Sequence, residues 1–452
     1  MTTIPDRIPS HRFEKLVGAF DLLGEMMIQM ELEFDHELDA DRLAQAMDLT
    51  LDAEPVLGCY YVGRFFRGHW RRLNPDERDC CTVVNKQADF DRFKQAPING
   101  DKGPQLRCCL LRHSDGDRLL FKFSHLVGDA GGTKMAVARV AEIYLRLRDD
   151  PEYKPEPNIN GSRMLAQVFK RLPLSALPRI WLNARREARR TGKPRLTRAF
   201  RLLDEHGEVV RTNEPVYLTR VLTTSQVQGM SELGRRCGGK INDVVVAAFM
   251  RTLAKLVPGQ PGDQLRLQTT VDLRTWYLPE ARAGGICNLS SFENPNLGED
   301  PGPDFKTTLK RVADFTRERK SNWVGLSTFL GETGLLMMIP RRPLNRIFRK
   351  ISHIDNSRNL LTNGGPIEPD AVTFDHPPKV AYLMTPPLYA PAPGFGLSGY
   401  NGQITLITAV PESFVSATDE FLDGIVAELD TGIRENTQEA TSSEHQREHE
   451  TA

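Results

Sequence analysis

The strongest constraint on the fold is a change of character between residues 149 and 213. It divides a 452-residue chain into two stretches that each alternate strand-like and helical runs. That length exceeds what one ordinary core organises and suffices for two. The interruption opens Pro-rich, DDPEYKPEPN, and then turns basic: Lys170, Arg171, Arg179, Arg185, Arg186, Arg189, Arg190, Lys193, Arg195 and Arg198 are opposed by Glu187 alone. On this reading residues 1–148 form an N-terminal lobe, 149–213 a connector and 214–435 a C-terminal lobe. Residues 436–452 are expected to be a polar tail without fixed structure.

In the first stretch, Met26 to Phe34 reads as a strand and Asp39 as the cap of a helix through Leu51, with Leu43, Ala46 and Met47 on one face. PQLRCCLLRHS and RLLFKFSH read as two strands joined at Asp115-Gly116-Asp117, followed by an amphipathic helix, TKMAVARVAEIYLRLR. In the second, VYLTRVLT and LRLQTTVDLR read as strands and INDVVVAAFMRTLAKLV as a helix. GFGLSGYNGQITLITAV reads as a glycine-broken strand region and DEFLDGIVAELD as a closing helix.

Composition narrows the classes of function. Lys+Arg and Asp+Glu are both 59, so net charge argues for no nucleic acid, and no nucleic-acid motif is present. The first residues lack the basic-then-apolar pattern of a secretory signal, and no run approaches the ~20 apolar residues of a spanning helix, so a cytoplasmic protein is expected. The seven cysteines, including the pairs Cys80-Cys81 and Cys108-Cys109, form no CxxC and no zinc spacing; reduced, buried thiols and no metal are expected. Neither a Walker-type nor a Rossmann-type glycine motif occurs.

The sharpest local feature is FKFSHLVGDAGGTK, Phe121 to Lys134. An apolar strand delivers His125 to its end, Gly128, Gly131 and Gly132 surround Asp129, and a helix follows at once. A neutral imidazole at such a mouth can accept a proton near pH 7. The bland alternative is a core histidine satisfied by a backbone bond. The spacing lets Asp129 point back into the fold, where a buried carboxylate needs a partner, and an arginine fork from Arg274 in TTVDLR suits it. Other candidates are weaker. His113 precedes a turn, His69 sits in an Arg/Trp-rich run, and His353 and His376 flank apolar segments. Asn288, Ser290 and Ser291 could donate to an oxyanion or simply form a turn. Asp243 reads as a helix-start residue.

SHLVGDAGG resembles the HHxxxDG motif of the condensation-domain and chloramphenicol acetyltransferase-like superfamily, which includes wax ester synthase/diacylglycerol acyltransferases and alcohol acyltransferases. Three further segments fall in the family's order: the Asn-Asp helix at Ile241 to Leu256, TTVDLRTWYLPEARAGGICNLSSF with Asn288 in the Asn place, and LSGYNGQITLITAV before a closing helix. Ser124 stands where the first histidine of the motif would be, and Ala130 where its glycine would be. The N-terminal Pro-Leu-Trp signature of wax ester synthases is absent.

The resemblance implies an α/β fold of two chloramphenicol acetyltransferase-like lobes in a V-shaped sandwich with a tunnel between them. It implies His125 as the catalytic base, Asp129 and Arg274 as the pair that orders the turn, and Asn242 and Asn288 as shapers of the site. The implied reaction moves an acyl group from a thioester, acyl-CoA or a carrier-bound phosphopantetheine, to the hydroxyl of a small-molecule or lipid acceptor. No resident cofactor is needed and the chain is expected to act as a monomer. The alternatives are a stand-alone condensation enzyme forming an amide or ester with an acyl carrier protein, a wax ester or triacylglycerol synthase, and a non-catalytic binding module. The intact His125, Asp129 and Arg274 argue against the last.

The basic connector reads as a solvated linker helix or as a patch for an anionic partner: phospholipid, a CoA phosphate or an acidic carrier protein. Val324 to Ile351, with Leu335 to Ile339 beside Arg341, Arg342, Arg346, Arg349 and Lys350, reads as a core helix with an exposed basic turn or as an interfacial helix at a peripheral membrane contact.

Overall fold

The computed structural model describes residues 3–63, 68–190, 197–278, 284–351, 359–390 and 392–451. Two sheets dominate a mixed α/β fold. The five-stranded sheet runs in the order Val380–Met384, Met27–Glu33, Arg118–Ser124, Leu106–Leu111, Cys81–Val84. The six-stranded sheet runs Ser290–Glu293, Leu267–Asp272, Asn359–Pro366, Gly394–Tyr400, Gln403–Val410, Val216–Leu222. Arg7–Pro9, His69–Arg72 and Cys59–Val62 form a separate three-stranded sheet.

The local expectations are met where the pattern is strong. Asp39 caps the helix Ala40–Ala53 by accepting from Arg42 N at 3.0 Å, and that helix buries Leu43, Ala46 and Met47. The expected glycine-broken strand resolves into a hairpin, because Asn401 (φ 47°) and Gly402 (φ 75°) both adopt the left-handed conformation of a tight two-residue turn. Helix Ile241–Leu256 is buried from Asp243 through Met250, and the helices Phe305–Ser321 and Val415–Thr451 pack against it.

The structure bears on three expectations. First, the division at residue 214 is crossed by one strand. Strand Val380–Met384 leaves the second half and pairs antiparallel with Met27–Glu33, while Ile367, Val372, Phe374, Ala381 and Leu383 join the N-terminal core. The exchange covers what would otherwise be an open, apolar sheet edge. Second, the connector is more than a solvated linker. Asn158 bonds Glu54 Oε1 and Gly284 O, each at 2.9 Å, and so ties the two halves together. Helix Ala176–Arg190 buries Ala176 and Ile180 in a third core with Val271, Leu273 and Leu289. Third, the tail continues as helix to Thr451. After Gly432 it contains neither glycine nor proline, so a helix already packed through Ile425 and Leu429 propagates onward. Lys193 and Arg195 of the basic run lie outside the described residues.

Candidate active site

His125 owes its position to the strand that delivers it. Ser124 N donates to Gln105 O at 2.9 Å and His125 N to Met26 O at 2.9 Å, so the end of strand Arg118–Ser124 is held from both sides. The chain then turns tightly and enters helix Ala130–Asp149, whose cap is Asp129. The imidazole folds back over this turn, with Nδ1 2.9 Å from Gly128 O. A carbonyl oxygen only accepts, so Nδ1 carries the hydrogen and Nε2 of the neutral ring is left as the acceptor.

Asp129 points the other way, 2% exposed, into a set of donors. Its oxygens accept from Gly132 N at 3.0 Å, Leu289 N at 2.7 Å and Ser290 Oγ at 2.8 Å, and Arg274 Nη1 lies 2.9 Å from Oδ1 and 3.0 Å from Oδ2. Burial works against its ionised form, but the Arg274 charge and these hydrogen bonds outweigh it and hold the carboxyl below the ordinary range. The arginine fork expected from the sequence is split. One nitrogen spans both Asp129 oxygens and reaches Asp272 at 3.2 Å, while Nη2 donates to Cys287 O at 2.6 Å. Burial lowers the affinity of Arg274 for its proton, yet the two carboxylates more than restore it. Asp272 is pushed up, chiefly by burial and then by the like charge of Asp129.

Two residues of the turn fit tightly. A Cβ on Gly131 would lie 2.8 Å from Arg274 Nη1, and one on Gly128 would lie 2.9 Å from the Phe123 ring. Ala130, in the place of the motif glycine, is the first residue of the helix, where a methyl group is tolerated. Ser124, in the place of the first histidine, is buried in the sheet and does not line the cavity.

His125, Asp129, Gly131 and Asn288 line one cavity of about 440 Å³. Its walls come from both halves of the chain. Phe13, Leu16, Val17, Phe20 and Leu23 with Phe348 make one end apolar; Gln268, Thr270, Asp272, Thr362 and Asn363 supply polar atoms elsewhere. Sequence reasoning missed the apolar wall, since Arg12–Val17 is too short a helix to show a period.

Asn288 donates through Nδ2 to His125 O at 3.0 Å and Leu126 O at 3.2 Å, so it clamps the histidine turn and has no amide hydrogen left for an oxyanion. Ser290 is committed to Asp129 and Ser291 to Gly325 O at 2.6 Å, so neither is the oxyanion donor considered from the sequence. Asn242 sits at the start of its helix, beyond the cavity wall, and accepts from Asn363 Nδ2 at 3.2 Å. Asp243 caps that helix through Lys240 N at 2.8 Å. His69, His113 and His376 do not line the cavity; His113 is exposed and His376 packs edge-on against His36. His353 lies outside the described residues.

No family model matches the chain, and no curated protein matches it in sequence. Solved structures do. Polyketide synthase associated protein 5 from Mycobacterium tuberculosis aligns with a TM-score of 0.64 at 16% identity, over 95% of this chain and 100% of that one. A trichothecene 15-O-acetyltransferase from Fusarium sporotrichioides aligns at 0.69 and 12%, over 94% and 95%. The first condensation domain of the calcium-dependent antibiotic synthetase aligns at 0.66 and 14%, over 94% and 96%.

Proposed function

We propose, from a fold held in common with the condensation-domain and chloramphenicol acetyltransferase-like superfamily, that this chain is an O-acyltransferase in which His125 is the general base. The observation that carries the proposal is the His125–Gly128 hydrogen bond, which leaves Nε2 as an acceptor on a residue lining a large cavity.

In the proposed reaction a thioester, acyl-CoA or a carrier-bound phosphopantetheine, lies beside His125 with its acyl chain toward the apolar end. Nε2 takes the proton of the acceptor hydroxyl as that oxygen attacks the thioester carbon. The carbonyl becomes a tetrahedral oxyanion facing the amide end of the 20-residue helix that begins at Ala130, a favourable position for negative charge. Collapse breaks the carbon–sulfur bond, and the thiolate takes the proton from Nε2. The products are an ester and a free thiol. Asp129 and Arg274 touch no reacting atom in this scheme. They lock the turn that aims the imidazole, and Asn288 locks it from the other side.

The test is mass spectrometry of products from a panel of acyl-CoA and carrier-bound thioesters offered with alcohols and amines. Ester formation that depends on His125 supports the proposal. Amide products alone would move the reading to condensation chemistry, and no transfer from any thioester would overturn it.

A further inference from the structure

Helix Gly334–Met338 has two apolar sides with different surroundings. Leu336 lines the cavity with Thr333 and Phe348, whereas Leu335 is 70% and Met338 61% exposed. Only the thickness of one helix therefore separates the apolar end of the cavity from bare hydrocarbon on the surface. The long core helix considered from the sequence is instead broken here, with a π-helical turn at Phe329–Thr333 before this segment and helix Arg341–Ile351 after it.

Helix Ala176–Arg190 packs on that π-helical turn, with Ala184 against Gly331. Ala176, Ile180 and Ala184 face inward at four-residue spacing. The opposite side shows Leu177, Trp181 (54% exposed) and Leu182, and the preceding turn shows Leu174, 89% exposed. Six large apolar side chains thus stand out on neighbouring elements, which single scattered exposures do not do.

The charge along these two segments is predominantly positive, with Glu187 and Glu332 at their edges. No carboxylate occurs from residue 157 to 186 or from 333 to 350. Arg179, Arg185 and Arg186 are exposed on one helix, and Arg342 and Arg346 on the other. Arg185 lies over the Trp181 ring at 4.6 Å from its centre, the pairing of a cation with an amphipathic ring that suits a headgroup region.

We propose that this face docks on a bilayer carrying anionic lipids, with Leu174, Trp181, Leu335 and Met338 entering the interface and the arginines meeting phosphate. The docking stands on the surface alone. Its consequence, that a membrane-dissolved alcohol or acyl donor enters the apolar end of the cavity beside Gly334–Met338, rests on the acyltransferase reading.

Co-sedimentation with phosphatidylcholine vesicles, with and without phosphatidylglycerol, tests it. Binding should need phosphatidylglycerol and should weaken as salt screens the surface. Near an anionic surface each arginine is worth about fivefold in partitioning, so R179Q/R185Q/R346Q together should weaken binding by about a hundredfold. L174S/L335S/M338S should also release the protein at low salt. Brominated lipid should quench wild-type fluorescence, and W181F should lose most of that quenching.

Both variants should keep wild-type turnover on a water-soluble acceptor and lose it on a vesicle-dissolved one. If no acceptor turns over, the vesicle and quenching arms still decide the docking. Absence of vesicle binding at low salt, or binding unchanged in L174S/L335S/M338S, overturns the proposal. So does an arginine effect confined to acidic carrier-protein donors, which would assign the face to that partner.

Discussion

The Asp129–Arg274 pair permits the most detailed prediction. In Arg274→Ala, Asp129 keeps three neutral donors, from Gly132, Leu289 and Ser290, but loses its counter-charge in a site 2% exposed. Uncompensated buried charge costs about 3–5 kcal/mol. In Asp129→Ala the arginine keeps Asp272 and Cys287 O, so its charge is less stranded. The loss there comes from a helix cap worth about 1 kcal/mol and from the orphaned Leu289 amide and Ser290 hydroxyl, about 1–3 kcal/mol for each unsatisfied group.

The two single costs are of similar size, but the double variant removes the stranded charge along with its partner. It should therefore be less damaged than the sum by about 1–3 kcal/mol. Spread over a cooperative unit of this size, a loss of about 3 kcal/mol lowers the unfolding midpoint by roughly 3 °C, which calorimetry or scanning fluorimetry resolves. Strict additivity would refute the coupling.

The sign with pH follows from the lowered carboxyl. A depressed folded value stabilises above the unfolded value, about pH 4, and the benefit disappears as pH falls through the folded value. The gap between wild type and Asp129→Asn should be constant from about pH 6 to 8 and should close on acidification below about pH 4.

Other variants test separate parts of the site. Gly131→Ala places a methyl group 2.8 Å from Arg274 Nη1 and should destabilise by about 1–3 kcal/mol in thermal unfolding; Ala130→Gly, outside that contact, should not copy the effect. Asn288→Ala removes both bonds to the histidine turn and should lower kcat about tenfold with KM little changed; a rise in KM alone would move Asn288 to substrate binding. Val17→Trp fills the apolar end and should shift preference to shorter acyl donors, by about fourfold in kcat/KM for each methylene displaced. An unchanged chain-length profile would place the acyl group elsewhere.

What could be read from the sequence was whatever is decided locally. The strand, turn and helix around His125 were legible from an apolar run and glycines, and Asp39 marked its helix as an N-cap; that Asp129 also caps its helix was not read. Arg274 was identifiable as the partner of Asp129, but the splitting of its guanidinium depends on the Cys287 carbonyl, 13 residues away. The exchanged strand Val380–Met384 was not legible, since VAYLM fits a buried position in either sheet and only the open edge of Met27–Glu33 selects one. For Asn288, Ser290 and Ser291 the sequence left both a turn-forming and an oxyanion role open, because the same donors would serve an oxyanion if their neighbours lay differently. The connector's basic character was plain, whereas its buried face depended on a core built from residues about a hundred positions later.

The most direct test of the central claim is turnover of His125→Ala with the thioester and acceptor that the product panel identifies. His125 contributes one hydrogen bond to its own turn, so the variant should unfold cooperatively near the wild-type midpoint. Loss of the general base should cut kcat by about 10²–10⁴-fold. A folded His125→Ala protein that turns over within a few-fold of wild type would contradict the account.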